Sequence, residues 1–226
     1  MQTVFPAALL IAVCLSSAAA GAADMVTIAA GTLQMGRNDG PDDERPAHRV
    51  TLGAFSIDRL PVTNVRFAEF LNAVGTHSRD GMRLYDFDDG DARIHQRGNL
   101  WSADRGFEQH PAVEVSWIGA RDYCAWRGKR LPTEAEWENA CRAGTTTRYF
   151  WGHDPQWLEI GKYAWSALSF GSSAHEVRLK LPNPWGLYDM SGNLWEWCRD
   201  GYQDLPPTIT VDPQGSTDTT RRSIRG

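Results

Sequence analysis

Several kinds of chemistry lack their minimal parts in this sequence. The six histidines (His48, His77, His95, His110, His153 and His175) form no HExxH, and no CxxC appears. The local signatures of zinc and non-haem iron sites are therefore missing. There is no GxSxG elbow and no phosphate-cradling GxxxxGK[ST], which removes the serine-hydrolase and nucleotide-binding readings. Positive charge is not in excess: Lys and Arg number 23 against 28 Asp and Glu, a formal net charge of -5. Such a balance gives no electrostatic reason to expect nucleic acid or an anionic membrane as a partner. No internal repeat is present, and past residue 23 no apolar run approaches the length of a membrane span. Cysteine is scarce, with four in the chain.

What is there begins with an apolar run, Ala7 to Leu15, followed by the small-residue stretch SSAAAGAAD. This reads as a signal peptide over residues 1–23, removed on export to the periplasm or the exterior, and separate from the fold. The remainder, about 200 residues, suits one domain. Aromatic residues make up 11%, with 10 Trp among them, enough for a substantial core. Twelve prolines and 21 glycines point to many loops.

Three helices are expected. Thr63–Val74 has Phe67, Phe70, Leu71 and Val74 on one face, Thr63 as cap and Gly75 as stop. Ser116–Trp126 starts on a serine cap, carries Trp117, Ala120 and Cys124 on one face, and is closed by Gly128. Thr133–Ala143 starts with a capping box of Thr133 and Glu136 and turns Trp137, Ala140 and Cys141 inward. Val26–Met35 reads as two short strands hairpinned at Ala30-Gly31, and His48–Ile57 as another strand. Val113 and Val115 read as a short strand, the LPPTITVDPQG stretch as an extended loop, and RRSIRG as the start of a strand. DFDDGDARIH (Asp86–His95) fails the EF-hand register, because Tyr85 and Phe87 would occupy the first and third positions. It reads as a solvated acidic turn.

The densest stretch is Asn183 to Asp200, NPWGLYDMSGNLWEWCRD. Trp185, Trp195 and Trp197 bring apolar area that a solvated loop would not carry. Gly186 and Gly192 allow the chain to turn back. Asp189 and Glu196 lie among these apolar residues, where an unpaired carboxylate is expensive. A bound cation with turn carbonyls as co-ligands would settle that cost. The alternative is that Asp189 caps the turn and Glu196 pairs with an arginine.

GLYDMSGNLWEW resembles the signature of the formylglycine-generating enzyme family, the sulfatase-modifying factors. Two further stretches resemble it too: MVTIAAGTLQMG followed by HRVTLGAFSID, and RLPTEAEWENACRAG. The resemblance implies an α+β fold, irregular and loop-rich with a C-type-lectin-like core, in which short antiparallel strands pack with two or three helices. It implies a structural calcium ion held by the side chains of Asp189 and Glu196 and the carbonyls of Gly192 and Leu194. A second calcium site is not expected, because Ser166, Ser169, Ser172 and Ser173 stand where relatives supply stronger oxygen donors. The implied activity is oxygen-dependent oxidation of a cysteine in a target protein or peptide, such as a sulfatase, to formylglycine. The implied partner is that target, with no nucleic acid, no membrane and a monomeric protein.

In the family, copper(I) is held by a cysteine pair that lies past the position of Gly226, so copper is expected only for a full-length active relative. Cys124 and Cys141 match family cysteines that in some members form disulfides near the carboxyl terminus. Here they are expected to be reduced and buried, not bridged to each other. Cys198, following Trp197, is expected to be the more exposed thiol. The readings that stand are an oxidising enzyme represented by an incomplete chain, and a non-catalytic calcium-stabilised binding module on the same fold. A sulfoxide synthase would need an iron-binding helical domain for which the chain has neither length nor histidine pattern.

Overall fold

Local sequence signals set the helices, and long-range pairing sets the sheets. The structure, a computed structural model, describes residues 10–12, 15–16, 24–166, 173–218 and 220–226. In chain order the strands and helices are β1 (Leu10–Ala12), β2 (Leu15–Ser16), β3 (Met25–Ile28), β4 (Gly31–Met35), β5 (His48–Leu52), β6 (Phe55–Asp58), α1 (Asn64–Val74), β7 (Ile94–Arg97) and β8 (Leu100–Ala103). There follow α2 (Trp117–Trp126), α3 (Glu134–Arg142), the single-turn α4 (Ile160–Tyr163), β9 (Trp195–Gly201), β10 (Thr210–Val211) and β11 (Arg222–Arg225). Mixed α and β content in short elements is what the sequence leads one to expect.

The three longer helices form where expected. At α3 both halves of the capping box are made: Glu136 N donates to Thr133 Oγ1, and Thr133 N to a Glu136 carboxylate oxygen at 2.7 Å. At α2 the Ser116 hydroxyl accepts from Gly119 N. Gly119 itself answers a steric need, since a Cβ there would stand 2.0 Å from the Leu84 carbonyl oxygen. The start of α1 departs from expectation. The Thr63 side chain makes no cap bond, and the helix start is held by the loop before α2: Asn64 N donates to the His110 carbonyl and Asn64 Nδ2 to that of Phe107. Phe67, Phe70 and Leu71 are buried, but Val74, in the last turn, is 45% exposed.

The strands correct the sequence reading in three places. β3 and β4 do not form a hairpin; β3 pairs antiparallel with β6, and β4 with β5. His48–Ile57 is two strands, divided at Gly53, whose amide donates to Asp212 Oδ1 at 2.8 Å. Val113 and Val115 make no strand, because Glu114 between them has φ 59 and breaks the extended run. Nor is all pairing antiparallel: β10 runs parallel to β5 and β1 parallel to β9. Within the stretch read as a signal peptide, β1 lies against β9 and β2 pairs antiparallel with β6. β7 and β8 form a hairpin after the acidic turn.

Two apolar clusters result. One joins α1 and α2 to the hairpin through Phe67, Phe70, Tyr85, Ile94 and Tyr123. The other joins β3–β6 to α3 through Val50, Ile57, Ala135 and Trp137. The Asn183–Asp200 stretch touches both, with Leu194 and Trp197 in the first and Leu187, Met190 and Cys198 in the second. Indole hydrogen bonds fasten it further: Trp197 Nε1 donates to the Val115 carbonyl and Trp117 Nε1 to that of Cys198. The stretch is therefore the link between the two halves of the core. A cation bound within it would brace both.

Candidate metal centre

The turn is built by side chains that satisfy its backbone. Asn183 Oδ1 accepts from the amides of Trp185 and Leu187, while its Nδ2 donates to the Ala140 carbonyl at 2.7 Å, fixing the start of the turn to α3. Asp189 and Asn193 both take positive φ, 55 and 70, as short polar residues can. Asn193 clasps the backbone of His175, accepting its N–H at 2.8 Å and donating to its carbonyl at 3.1 Å. Gly192, at φ 77, could not be another residue without movement, since a Cβ would meet the Trp165 carbonyl oxygen at 2.1 Å.

Asp189 and Glu196, 4% and 1% exposed, are both buried by this arrangement. Each carboxylate has one oxygen engaged. Asp189 Oδ2 accepts from the Arg178 amide and Glu196 Oε2 from Trp137 Nε1, both at 2.8 Å. Asp189 Oδ1 and Glu196 Oε1 are buried with no hydrogen-bond partner. The expected alternative of an arginine partner for Glu196 is not realised; its partner is an indole. Burial pushes Asp189 up to about 6, against the lowering effects of the Arg178 amide and the Asn193 side chain. Burial pushes Glu196 up to about 8; the Trp137 hydrogen bond opposes this, and the nearby Asp189 charge adds to it.

Three other buried acids are answered by cations. Glu138 meets Arg142 at 2.8 Å and Arg225 at 2.6 Å, and Glu136 meets Arg130 at 2.7 Å. Asp58 meets Lys129. Two adjacent buried carboxylates with one unsatisfied oxygen apiece are a hard-oxygen donor set, the kind that suits calcium. The residues present therefore fit the ion that the resemblance implies. Gly192 and Leu194 lie between the two carboxylates in the chain, and the resemblance implies their carbonyls as the remaining ligands. Among the described residues no group of three or more His, Cys, Asp or Glu side chains is placed to hold a metal. Of the serines considered for a second site, Ser169 and Ser172 lie outside the described residues.

The cysteines differ from expectation. Cys124 is disulfide-bonded, so it is not reduced. It is not joined to Cys141, which is free, as is Cys198. Cys198 is fully buried and Cys141 partly so, the reverse of the order expected for exposure. Cys141 Sγ donates to the Met190 carbonyl, and burial pushes its pKa up to about 12. Burial likewise raises Cys198 well above the ordinary thiol range. Copper(I) takes thiolates, and these two thiols resist ionisation; they do not fit that ion.

One feature carried no readable signal in the sequence. Lys162, Arg178 and Lys180 converge on a groove beside the turn. No local motif joins α4 to the stretch preceding the turn.

The profile of the sulfatase-modifying factor enzyme 1-like domain matches residues 13–226. The chain belongs to that family. Within the sulfatase-modifying factor family it is similar to the formylglycine-generating enzyme of Thermomonospora curvata, 34% identical over 89% of this chain and 81% of that protein. It is also 38% identical, over 90% of its length, to the serine/threonine-protein kinase pkn1 of Chlamydia pneumoniae. The match covers 32% of that relative, so the chain spans about a third of its length. Among solved structures it resembles PvdO from Pseudomonas aeruginosa, with TM-score 0.66, 27% identity, and 89% of this chain and 80% of that one covered. Among the described residues no helix is long and apolar enough to cross a membrane.

Proposed function

We propose that this chain is the calcium-stabilised body of a formylglycine-generating-type domain. In an exported compartment, it engages a cysteine-containing segment of a target polypeptide such as a sulfatase. The observation that supports this reading best is the pair of unsatisfied buried oxygens on Asp189 and Glu196, inside the stretch that joins both halves of the core. Calcium, when bound, supplies fixed positive charge that cancels the two carboxylates. Asp189 and Glu196 hold it with the Gly192 and Leu194 carbonyls, while the Arg178 amide and the Trp137 indole orient the carboxylates. The effect on function is positional: the turn, β9 and the surface loops they support are held in one arrangement.

The same reading assigns no oxidising centre to the described cysteines. Cys124 is in a disulfide, Cys198 is enclosed and Cys141 partly buried, and both free thiols resist ionisation. The chain by itself is therefore a recognition and scaffold unit, and oxidation of a bound cysteine requires thiolates that these residues do not provide. The test is a peptide assay by mass spectrometry with a sulfatase-type cysteine peptide, oxygen and copper supplied to the 226-residue chain. Binding of the peptide without conversion to the aldehyde is the expected result. Copper-dependent turnover that is lost in Cys141→Ser or Cys198→Ser would overturn it.

A further inference from the structure

The groove beside α4 has a volume of about 480 Å³. Lys162, Arg178 and Lys180 line it together with Tyr188 and the apolar Leu179, Leu181 and Pro182, and no carboxylate contributes to the lining. Leu179 is 59% exposed and Leu181 51%, unusual for leucines flanking such a concentration of charge. The backbone fixes the groove's shape, for Leu181 N donates to the Lys162 carbonyl at 2.9 Å. Lys180 Nζ donates to the Gly161 carbonyl at 2.6 Å and lies 3.7 Å from the centre of the Trp165 ring. Lys162 shares its charge with exposed Glu159 at 2.7 Å, an i,i+3 pair of small energetic value that a ligand can displace. The Arg178 guanidinium lies 5.3 Å from the Tyr188 ring centre, and no ion pair joins it to a described carboxylate. Its backbone, at φ 68, is pinned by the 2.8 Å bond from its amide to Asp189.

A cationic groove with an exposed apolar floor stands out on a chain whose formal net charge is -5. The net negative charge of the chain disfavours long polyanions, while a short acidic stretch can reach three cations at close range. We propose that this groove docks an extended segment of the target polypeptide that alternates acidic and leucine-like residues. Its carboxylates meet Lys162, Arg178 and Lys180, and its apolar side chains cover Leu179 and Leu181. The assignment rests on the reading that the partner is a polypeptide; it is independent of whether any cysteine is oxidised.

The test uses the full 226-residue chain at constant calcium with a fluorescein-labelled peptide of alternating Glu and Leu that contains no cysteine, read by anisotropy. Tighter binding than the Gln–Leu counterpart, by about tenfold, is expected, and so is weakening with added salt. The double variant Lys162→Gln/Arg178→Gln should lose about tenfold in affinity. If that variant does not fold, Leu179→Glu, a change at an exposed position, should weaken the Glu–Leu peptide by about fivefold and favour a Lys–Leu peptide instead. Equal binding of the Glu and Gln peptides overturns the proposal. So does unchanged affinity in the folded double variant or in Leu179→Glu, or binding of inorganic phosphate with no binding of the peptide. Because the probe has no cysteine, these outcomes leave the peptide-oxidation test untouched.

Discussion

Removing calcium should make the stability of this domain fall as pH rises, the opposite of ordinary acid sensitivity. In the metal-free protein both carboxyls of the turn have folded-state pKa values above their unfolded ones, Asp189 at about 6 against 3.8 and Glu196 at about 8 against 4.5. The folded state therefore holds its protons more tightly than the unfolded chain does. Stability conferred by the protonated pair is fully present below about pH 4 and is lost as pH climbs through 6 and then 8. At about 1.4 kcal/mol per pKa unit, charging Glu196 costs up to about 5 kcal/mol and Asp189 about 3 kcal/mol. The two figures overlap, because the Asp189 charge is part of what raises Glu196. A loss of this order is comparable with the whole stability of many domains, about 5–15 kcal/mol. For a domain of this size about 1 kcal/mol moves Tm by roughly 2–4 °C, so the chelated protein should lose on the order of 10 °C between pH 5 and pH 8.5. Calcium should offset part of that slope, since an ion at about 100 times its Kd adds about 2.7 kcal/mol to the folded state. Glu196→Gln should flatten the slope without calcium and abolish the calcium-dependent rise. The assay is thermal unfolding by circular dichroism across that pH range, with chelator and with excess calcium. A chelated protein whose Tm is level or rises from pH 5 to 8.5 would refute the reasoning.

Three further outcomes are expected. Gly192→Ala should destabilise the domain by about 2–4 kcal/mol in denaturant titration, because the added Cβ meets the Trp165 carbonyl oxygen at 2.1 Å and the residue keeps φ 77. Thr133→Ala, which breaks the capping box of α3, should cost about 1 kcal/mol in the same measurement. In the native protein Cys141 and Cys198 should resist a thiol reagent at pH 8 and both react once unfolded, with Cys124 contributing no thiol until a reductant is added.

The elements legible from sequence were those whose signals are local. The capping box at Thr133 and Glu136 and the serine cap at Ser116 act within a few residues, so α2 and α3 begin where their sequences indicate. Sheet pairing is not local. Val26–Met35 reads as a hairpin by itself, yet its halves find different partners because the second strand segment also divides, at Gly53. β9 shows the limit most clearly. Tryptophans suggest an inward face, but the buried positions are Glu196, Cys198 and Asp200, while Trp195 is 45% exposed. These inward carboxyls are satisfied only in part: Glu196 accepts from Trp137 Nε1 and Asp200 from the Glu134 amide. Neither contact could be read from a stretch of adjacent residues. The cost of burying Asp189 and Glu196 was readable, because their apolar neighbours are a matter of local composition. The basic groove was not, since it depends on Lys162 being brought next to Arg178 and Lys180.

The most direct test of the calcium turn is calorimetric titration at pH 7 in two buffers of different ionisation enthalpy. With Glu196 at about 8 and Asp189 at about 6, the metal-free site holds roughly one proton at this pH, and binding must release it. The account predicts one calcium ion per chain, release of roughly one proton, and no binding heat in Glu196→Gln or Asp189→Asn. Absence of calcium binding in the folded wild-type chain, or equal binding and no proton release in Glu196→Gln, would contradict it.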